Sequence, residues 1–514
     1  MDLQLSKESI TVNEVVFDSA IEQPIECDVI LPDYCPDIQK ILKCLASVKY
    51  TSNQASGDKL TLEGFVTLTV YYLSDKNNLR CSEHKVPFSK SSDLKAGAVG
   101  DNPLLLVNTA IDYLNCRAIN QRRIDIRGAF TIGVRILSCR GEEVAVSAEG
   151  AGIQLKKQMT DATQVVGEAN RQFTVREELE AGYGKPPVAA IIRSAVRASV
   201  TDYKVIANKV IVKGELAIHL LYSGEEEDAG LEMTEYSLPI SQIVDMEGVQ
   251  EDCICGVRFE VINWDIQPKQ DDEGEWSLIA AEVTVSATVR AHRGESVAYL
   301  TDAYSTAYET ANTQKSISLL RLSGLISDKA PVKDVAELPE NIEKIIDVWG
   351  EVTQFTSRIQ DGEAVTTGKL LFGMFAIGQE GTPVYYEKTG DFVLKHKLAE
   401  PVSNPLFDCF CTADGVSYTI TADNQVEIRC DVTAEGYLYD VVKKQVLADI
   451  LVDASRQKKR DGKAALTIYY ADKGESIWEI ARRYNTSVTA VMEENDLAVE
   501  ELAERSMLLI PMVG

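Results

Sequence analysis

A strand pattern occurs three times in this chain, and its copies are separated by the length of a whole domain. Each copy has an apolar or β-branched run, a glycine, and a second alternating run. The glycines, Gly64, Gly214 and Gly368, lie 150 and 154 residues apart. A glycine inside a strand pattern marks a bulge or a close backbone approach. The pattern therefore predicts a tandem array of domain-sized repeats, whose copies are Lys59–Ser74, Lys209–Ser223 and Glu363–Gly378.

Further alternating runs follow each glycine and make every repeat rich in strands. These runs are Arg123–Leu137, Trp276–Ala291 and Gln425–Leu438. Alternation with a period of two is typical of half-buried strands. Two sheets packed face to face, or a partly closed barrel, would bury such faces. We predict a mainly β protein with three sandwich-like or barrel-like repeat domains, over residues 1–160, 161–313 and 314–453.

A proline-led, isoleucine-rich segment precedes the glycine in each repeat. In Ile38–Leu42 and in Ile342–Ile346 the apolar residues stand at helical spacing, and Pro187–Ile192 is the related segment of the second repeat. Proline suits the first position of a helix. We therefore predict a short helix here, with an extended run as the alternative because β-branched residues dominate.

The charge balance limits the classes of partner. The chain has 79 acidic and 52 basic residues and a net charge of −27. Such a field repels nucleic acids and anionic lipids. The N-terminus lacks the basic and apolar regions of a secretory signal, and no run approaches the roughly 18–20 apolar residues of a membrane span. We expect a cytosolic protein without direct membrane insertion or nucleic-acid binding.

The sequence contains no recognisable metal or cofactor site. Its 11 cysteines are scattered, as a reducing compartment permits. Two pairs, Cys253/Cys255 and Cys409/Cys411, have C-x-C spacing, but the four histidines are isolated from one another. A zinc site would need two further ligands at suitable spacing. We interpret these cysteines as small apolar strand residues and predict neither a metal nor a cofactor.

No catalytic motif is present either. The sequence lacks a Walker A loop, G-x-S-x-G, H-E-x-x-H and a dinucleotide-binding fingerprint. The acidic runs Glu225–Asp228 and Asp271–Glu273 are typical of solvated hairpin loops. A pair of catalytic carboxylates would leave no signature in the sequence, but we predict that the chain is not an enzyme.

The C-terminal residues differ in pattern from the repeats. Residues 454–465 are polar and locally basic, which indicates an exposed linker, with docking to an acidic partner as the alternative. Beyond it, a strand at Thr467–Tyr470 precedes an apolar stripe at helical spacing from Ile477. Ser487 is placed to cap a second helix, Val488–Glu494, and Met507–Ile510 forms a closing strand. The predicted order is strand, helix, helix, strand over residues 466–514.

This order and its residues resemble the LysM domain, a small α+β fold. The family pattern has a tyrosine, a Gly-Asp-Thr-Leu-Trp-x-Ile-Ala stretch, a second tyrosine, an asparagine and a final Leu-x-Ile-Pro. Glu475-Ser476 replace the usual Asp-Thr, and the usual glycine before the last strand is replaced around Arg505-Ser506. The matching positions are Tyr469, Gly474–Trp478, Ile480, Ala481, Tyr484, Asn495 and Leu508–Pro511.

The LysM resemblance implies a shallow groove for N-acetylglucosamine polymers between two loops. One loop follows the first strand and the other follows the second helix. The module has nine acidic and four basic residues, and a charged protein partner would sense that charge more than a neutral glycan. For Trp478 a core position and a partly exposed interface anchor both remain open. The candidate partner-binding or glycan-binding residues are Lys473, Gly474, Glu475, Ser476, Ile477, Trp478, Asn495, Asp496 and Leu497.

The upstream repeats resemble a clostridial domain that accompanies LysM in spore-envelope proteins. Leu31–Leu42 and the glycine-centred strand pairs carry this resemblance, and the whole arrangement is similar to the SipL family of spore-coat morphogenetic proteins. The resemblance implies a scaffold in the mother-cell cytoplasm at the forespore surface. Its expected partners are a SpoIVA-like coat morphogenetic ATPase and other coat proteins. The alternative is a protein that binds peptidoglycan at the cell wall or spore cortex.

Overall fold

The computed structural model describes residues 3–95, 99–100, 103–182, 184–224, 230–339, 341–422, 424–458 and 466–511. Long antiparallel strands follow one another as far as Gln457, and within these ranges the α-helices belong to the C-terminal module. None of the described helices is long and apolar enough to cross a membrane. The acidic run Glu225–Asp228 and most of the predicted linker lie outside the described residues.

The first repeat is a sandwich of two three-stranded antiparallel sheets. Its strands are β1 (Gln4–Ile30), β2 (Ile38–Ser56), β3 (Lys59–Ser74), β4 (Leu79–Asp93), β5 (Leu104–Asn120) and β6 (Arg123–Glu149). One sheet has the order β2-β3-β4 and the other β1-β6-β5. Alternate residues of β3, such as Leu60 and Leu62, meet alternate residues of β6, such as Ile124 and Ile126, in one apolar core. Period-two alternation on the central strands thus builds the core of the repeat.

The second and third repeats have the same topology. Their sheets have the orders β10-β9-β8 and β11-β12-β7, then β14-β15-β16 and β13-β18-β17, which confirms the prediction of strand-rich, sandwich-like repeats. The strands of the second repeat are β7 (Ile153–Glu180), β8 (Val188–Ile206), β9 (Lys209–Gly224), β10 (Leu231–Asp245), β11 (Ile254–Lys269) and β12 (Leu278–Ser305). Those of the third are β13 (Tyr308–Glu337), β14 (Ile342–Gln360), β15 (Glu363–Gly378), β16 (Pro383–Lys397), β17 (Pro405–Ala422) and β18 (Gln425–Gln457).

The borders between repeats lie slightly earlier than the sequence pattern suggested. Gly150, Ala151 and Gly152 form the turn between β6 and β7, all with positive φ. The predicted borders at residues 160 and 313 therefore fall inside β7 and β13. Residues 454–457, predicted as linker, continue β18 instead.

The short helices predicted within the repeats are strands. Ile38–Leu42 lies in β2 and Ile342–Ile346 lies in β14, so the extended alternative is confirmed. The pairing register shifts twice within the first six residues of each of these strands, and β8 shifts at the equivalent places. Each bulge adds one residue to a strand. Two bulges close together therefore give a strand the apolar spacing of a helix.

The three repeats pack into a closed ring. Strand β4 contacts β8, β10 contacts β14, and β16 contacts β2, so each repeat touches both others. Residues at equivalent positions of the repeats meet in shared apolar clusters. These sets are Tyr71, Leu221 and Phe375 in one cluster, and Ala145, Leu300 and Leu447 in another. The ring has approximate threefold symmetry, and its centre is a core to which every repeat contributes.

One polar contact at the centre of the ring distinguishes the second and third repeats from the first. His292 is fully buried, and its Nε2 lies 2.8 Å from the hydroxyl oxygen of Tyr439. The first repeat has Leu137 at the equivalent position, also fully buried. Burial, together with the nearby charge of Arg290, lowers the pKa of His292 to about 4. The imidazole is therefore neutral near pH 7.

The three repeat glycines lie where a neighbouring backbone and an aromatic ring come close. A Cβ on Gly214 would press on the carbonyl oxygen of Ser199 and lie 2.7 Å from the Phe259 ring. At Gly64 and Gly368 the nearby rings are those of Phe88 and Phe392, which lie on the paired strands β4 and β16, whereas Phe259 comes from β11 of the opposing sheet. The glycines are thus required by close approach, as their place inside strand patterns predicted.

We predict that Gly214→Ala lowers the free energy of unfolding by about 1–3 kcal/mol, because the added methyl overpacks the backbone of the neighbouring strand. Thermal denaturation followed by circular dichroism would measure the change. The matched control is Gly294→Ala, since a Cβ at Gly294 has no other atom within 4 Å. Equal melting temperatures for the two variants would contradict the close-approach explanation.

We also predict that His292 makes stability depend on pH. Its pKa is about 4 in the folded chain and about 6.5 when unfolded, so the unfolded state binds more protons between these values. This contribution, about 3 kcal/mol, is complete above pH 6.5 and is lost as the pH falls towards 4. We would measure the free energy of unfolding in urea at a series of pH values. In His292→Leu this free energy should depend less steeply on pH between about 4 and 6.5. His219→Gln, at a more exposed histidine, is the control; an unchanged slope in His292→Leu would contradict the assignment.

Candidate functional site: the C-terminal module and its seat

The C-terminal module has the predicted order of strand, helix, helix and strand. Strands β19 (Leu466–Ala471) and β20 (Ser506–Pro511) form an antiparallel pair. Helices α1 (Ile477–Arg483) and α2 (Val488–Glu494) lie between them in the chain. Ile477 and Ile480 of α1 are fully buried beside Val491 of α2 and Ile510 of β20. The apolar stripe predicted for the first helix is therefore its core face.

The loop before α1 is held by local hydrogen bonds. The carboxylate of Glu475 accepts hydrogen bonds from the hydroxyl of Tyr469 and the backbone N–H of Asp472, both at 2.9 Å. These bonds lower the pKa of Glu475. Gly474, with a φ of 84°, makes the turn. Ser487 caps α2 as predicted, since its hydroxyl accepts a bond from the N–H of Ala490 at 3.1 Å.

This loop meets the segment between α2 and β20. The N–H of Gly474 donates to the carbonyl of Leu502 at 2.8 Å, and the N–H of Ile477 donates to that of Glu500 at 2.7 Å. Ser476 and Glu501 form an isolated antiparallel bridge. The two loops are thus joined, but the second loop makes these bonds through Glu500–Leu502 and not through the predicted residues Asn495–Leu497. The sequence analysis did not single out this segment, because its acidic, polar pattern carries no signal for a backbone bridge.

Asn495 has a structural role in the module. Its side-chain Nδ2 donates to the carbonyls of Val491 and Leu509, and its Oδ1 accepts from the N–H of Leu509 at 2.7 Å. Both ends of the amide are therefore used to fasten α2 to β20. This explains why the residue stands at the end of the second helix without assigning it to a ligand.

The nine predicted site residues differ in accessibility. Lys473, Gly474 and Asp496 are exposed, whereas Glu475, Ser476, Asn495 and Leu497 are half-buried. Ile477 and Trp478 are buried, at 0% and 2% exposure, so these two cannot contact a partner at the surface of this structure. Their apolar side chains complete the module core instead.

Trp478 forms the contact between the module and the second repeat. Its indole N–H donates to the carboxylate of Asp302 at 2.9 Å, and its ring meets Tyr304 edge to face at 4.9 Å. Arg482 donates to the same carboxylate at 2.7 Å. The hydroxyl of Tyr304 donates to the backbone carbonyl of Thr486 at 2.8 Å. Trp478 is thus a buried residue whose partners lie within the same chain, and the structure does not show the partly exposed interface anchor that the sequence left open.

The other side of the two-stranded sheet is apolar and exposed. Ile468 and Tyr470 point outward from β19, and Met507 is the cross-strand neighbour of Tyr470. These three side chains are 57%, 66% and 54% exposed. Residues two apart in a strand share a face. We name this surface the outer sheet face; it consists of Leu466, Ile468, Tyr470, Met507, Leu509 and Pro511.

The cysteine pairs offer no reactive centre. Cys253 and Cys255 are buried, and burial together with Cys253 raises the pKa of Cys255 to about 11. Burial also raises the pKa of Cys409 and Cys411 to about 12. Raised values disfavour the nucleophilic thiolate. In the part of the chain that the structure describes, no group of three or more histidine, cysteine or acidic side chains is arranged to hold a metal ion.

Sequence models of two domain families match the chain. The SipL, SPOCS domain matches residues 37–119 and 187–269, and the LysM domain matches residues 469–511. The chain carries two SipL SPOCS domains and one C-terminal LysM domain. No curated protein and no solved structure gives a significant match. Both domain families are non-catalytic, and together they indicate a sporulation-related protein with a module of the cell-wall-binding kind.

The two SPOCS matches cover β2–β5 and β8–β11. The corresponding strands of the third repeat, β14–β17, have the same pairing although no match covers them. They also keep the register shifts at the start of the first strand and the glycine beneath an aromatic ring. The third repeat therefore has the architecture of the two SPOCS-containing repeats with a more diverged sequence.

We predict that Asp302→Ala releases the LysM domain from its contact with Asp302 and Tyr304 of the second repeat. The substitution removes the acceptor shared by Trp478 and Arg482, which we expect to cost about 2–4 kcal/mol of docking free energy. Hydrogen–deuterium exchange should increase in α1 and around Tyr304, while the strands of the first repeat keep their protection. Asp272→Ala, at an exposed loop position, is the control. Unchanged exchange in α1 would refute the role of this carboxylate.

Proposed function

We propose that this protein is a non-enzymatic scaffold of spore-coat assembly in the mother-cell cytoplasm. In this proposal it docks to a SpoIVA-like coat morphogenetic ATPase on the forespore surface, through its LysM domain and repeat surfaces. The combination of SPOCS and LysM domains supports a sporulation-related scaffold. The observation that carries the docking step is the outer sheet face, because it is an apolar surface that the described part of the chain leaves uncovered.

The outer sheet face has the properties of a small protein-binding surface. Exposed apolar side chains that lie next to one another mark interaction sites more than isolated ones do. Burying a side chain such as Ile468 stabilises a complex by about 1–2 kcal/mol. A two-stranded sheet of this size covers less than the roughly 800 Å² per partner of a standard interface. Full affinity therefore requires additional contacts, which we expect from the ring of repeats.

Charge favours a partner with basic groups around its contact surface. The LysM domain has nine acidic residues against four basic ones, and the whole chain has a net charge of −27. Opposite charges at the rim of an interface raise the rate of association and select among partners. A second copy of this acidic chain is a poorer fit for the same surface.

A second candidate function is peptidoglycan binding, which the LysM match favours. The joined loops would then form the glycan groove, with Lys473, Gly474 and Asp496 as its exposed residues. Ile477, Trp478 and the amide of Asn495 would act by shaping these loops. This surface differs from the outer sheet face, so the two functions are separable by mutation.

We predict that Ile468→Glu weakens binding to the purified coat ATPase at least tenfold, because it places an unpaired charge in the apolar contact. Biolayer interferometry with the full-length chain would measure the affinity. Val499→Glu is the matched control, since Val499 is 63% exposed but lies outside the outer sheet face. Circular dichroism would confirm that both variants fold.

Sedimentation with purified peptidoglycan would test the second function in parallel. Retention of the chain that falls with Lys473→Glu but persists with Ile468→Glu would favour the glycan reading. Full ATPase affinity in the Ile468→Glu variant would show that the outer sheet face is not the docking surface.

A further inference from the structure

A polar cleft lies where the LysM domain meets the second and third repeats. Its volume is about 570 Å³, within the range of small-molecule sites. Strand β7 contributes Lys156 and Gln158, β13 contributes Asn312 and Gln314, and α1 contributes Arg482. Thr301 and Asp302 of β12 complete the wall. Every lining residue has a polar or charged side chain, so the cleft suits a ligand rich in hydrogen-bonding groups.

The carboxylate in this cleft is already fully engaged. Oδ2 of Asp302 accepts from Trp478 and Arg482. Oδ1 of Asp302 accepts from the side chain of Asn312 at 2.8 Å and from the N–H of Ala303 at 2.9 Å. Four donors satisfy the available acceptor capacity of a carboxylate. Asp302 is therefore a structural acceptor and has no free position for a ligand cation.

The ammonium group of Lys156 has no such partner. Among the described residues no carboxylate lies within ion-pair distance of it, and it lies 6.0 Å from the centroid of the Trp478 ring. Lys156 and Arg482 against Asp302 leave the cleft with one positive charge. A positive site within a chain of net charge −27 is a local exception to the field that the rest of the surface creates. That single charge matches a monoanion.

We propose that this cleft binds a sugar acid, meaning a polyhydroxylated molecule with one carboxylate, which ion-pairs with Lys156. Gln158, Gln314 and Thr301 line the same cleft, and each makes one hydrogen bond within the protein, to Tyr299, to the carbonyl of Thr301 and to the carbonyl of Lys156 respectively. The amide nitrogen of Gln158 and the amide oxygen of Gln314 remain suited to hydrogen bonds with sugar hydroxyls. A charge-assisted bond to the carboxylate is stronger than a neutral one, so the acid group orients the ligand. Among the described residues, none that lines the cleft has an aliphatic or aromatic side chain, which disfavours an apolar ligand.

The site is distinct from both surfaces considered under the proposed function. It is formed by three strands of the repeats and one helix of the LysM domain, so it is complete when the module is seated. A ligand that contacts both parts stabilises the seated arrangement by mass action. This proposal does not depend on the identity of the protein partner.

Nuclear magnetic resonance of the full-length chain would test the proposal, with glucuronate as the probe. The indole N–H of Trp478 donates to Asp302, which lines the cleft, and its resonance should shift on titration with millimolar glucuronate. Lys156→Gln should weaken this response at least tenfold. The control is Lys157→Gln, at the exposed neighbour of Lys156 on β7, which should respond as the original chain does. Unchanged hydrogen–deuterium exchange of α1 in the unliganded Lys156→Gln variant would show that the LysM domain remains docked on the second repeat.

Glucose, acetate and inorganic phosphate are the comparison ligands. The proposal expects weaker responses to all three, because each lacks either the single carboxylate or the hydroxyls. It is overturned if glucuronate causes no shift, if glucose binds equally well, or if phosphate binds in its place. It is also overturned if Lys156→Gln binds glucuronate as tightly as the original chain.

Discussion

The architecture depends on strands that are longer than the sandwich to which they belong. Strands β6, β12 and β18 have 27, 28 and 33 residues, whereas the central strands of the opposing sheets have 16. The far half of each long strand therefore has no opposing sheet within its own repeat. A small sheet with an uncovered apolar face is unstable in water. The far halves consequently pack against one another, and this requirement makes three repeats into one ring.

The seat of the LysM domain is a product of the same extension. Asp302 and Tyr304 stand at the far end of β12, beyond the sandwich of the second repeat. Their hydrogen bonds to Trp478 and Thr486 fix the module in place. Because Asp302 also accepts from Asn312 of the third repeat, one carboxylate joins two repeats and the module. A few hydrogen bonds, which are surrounded by apolar side chains, thus fix the position of the module relative to the ring.

The repeats and the LysM domain could be predicted because their signals are local: alternation along strands, a glycine under close approach, and a dense short motif. The helices assigned to Ile38–Leu42 and Ile342–Ile346 were wrong because paired bulges imitate helical spacing. Within the candidate site, the family motif identified Asn495. It did not predict that the Asn495 side chain hydrogen-bonds to the backbone of α2 and β20. The partnership of Trp478 with Asp302 joins residues 176 positions apart. No local pattern encodes such a contact.

The ring is not equally able to seat a module on each of its three parts. In place of Asp302 and Tyr304, the first repeat has Ser147 and Glu149, and the third has Asp449 and Leu451. Only the second repeat combines the acceptor with the aromatic ring. One chain therefore presents its LysM domain on one repeat and in one orientation. This gives a nearly threefold ring a single direction. Any partner that binds through the LysM domain would therefore meet it on one side of a ring whose other two repeats lack the docking residues.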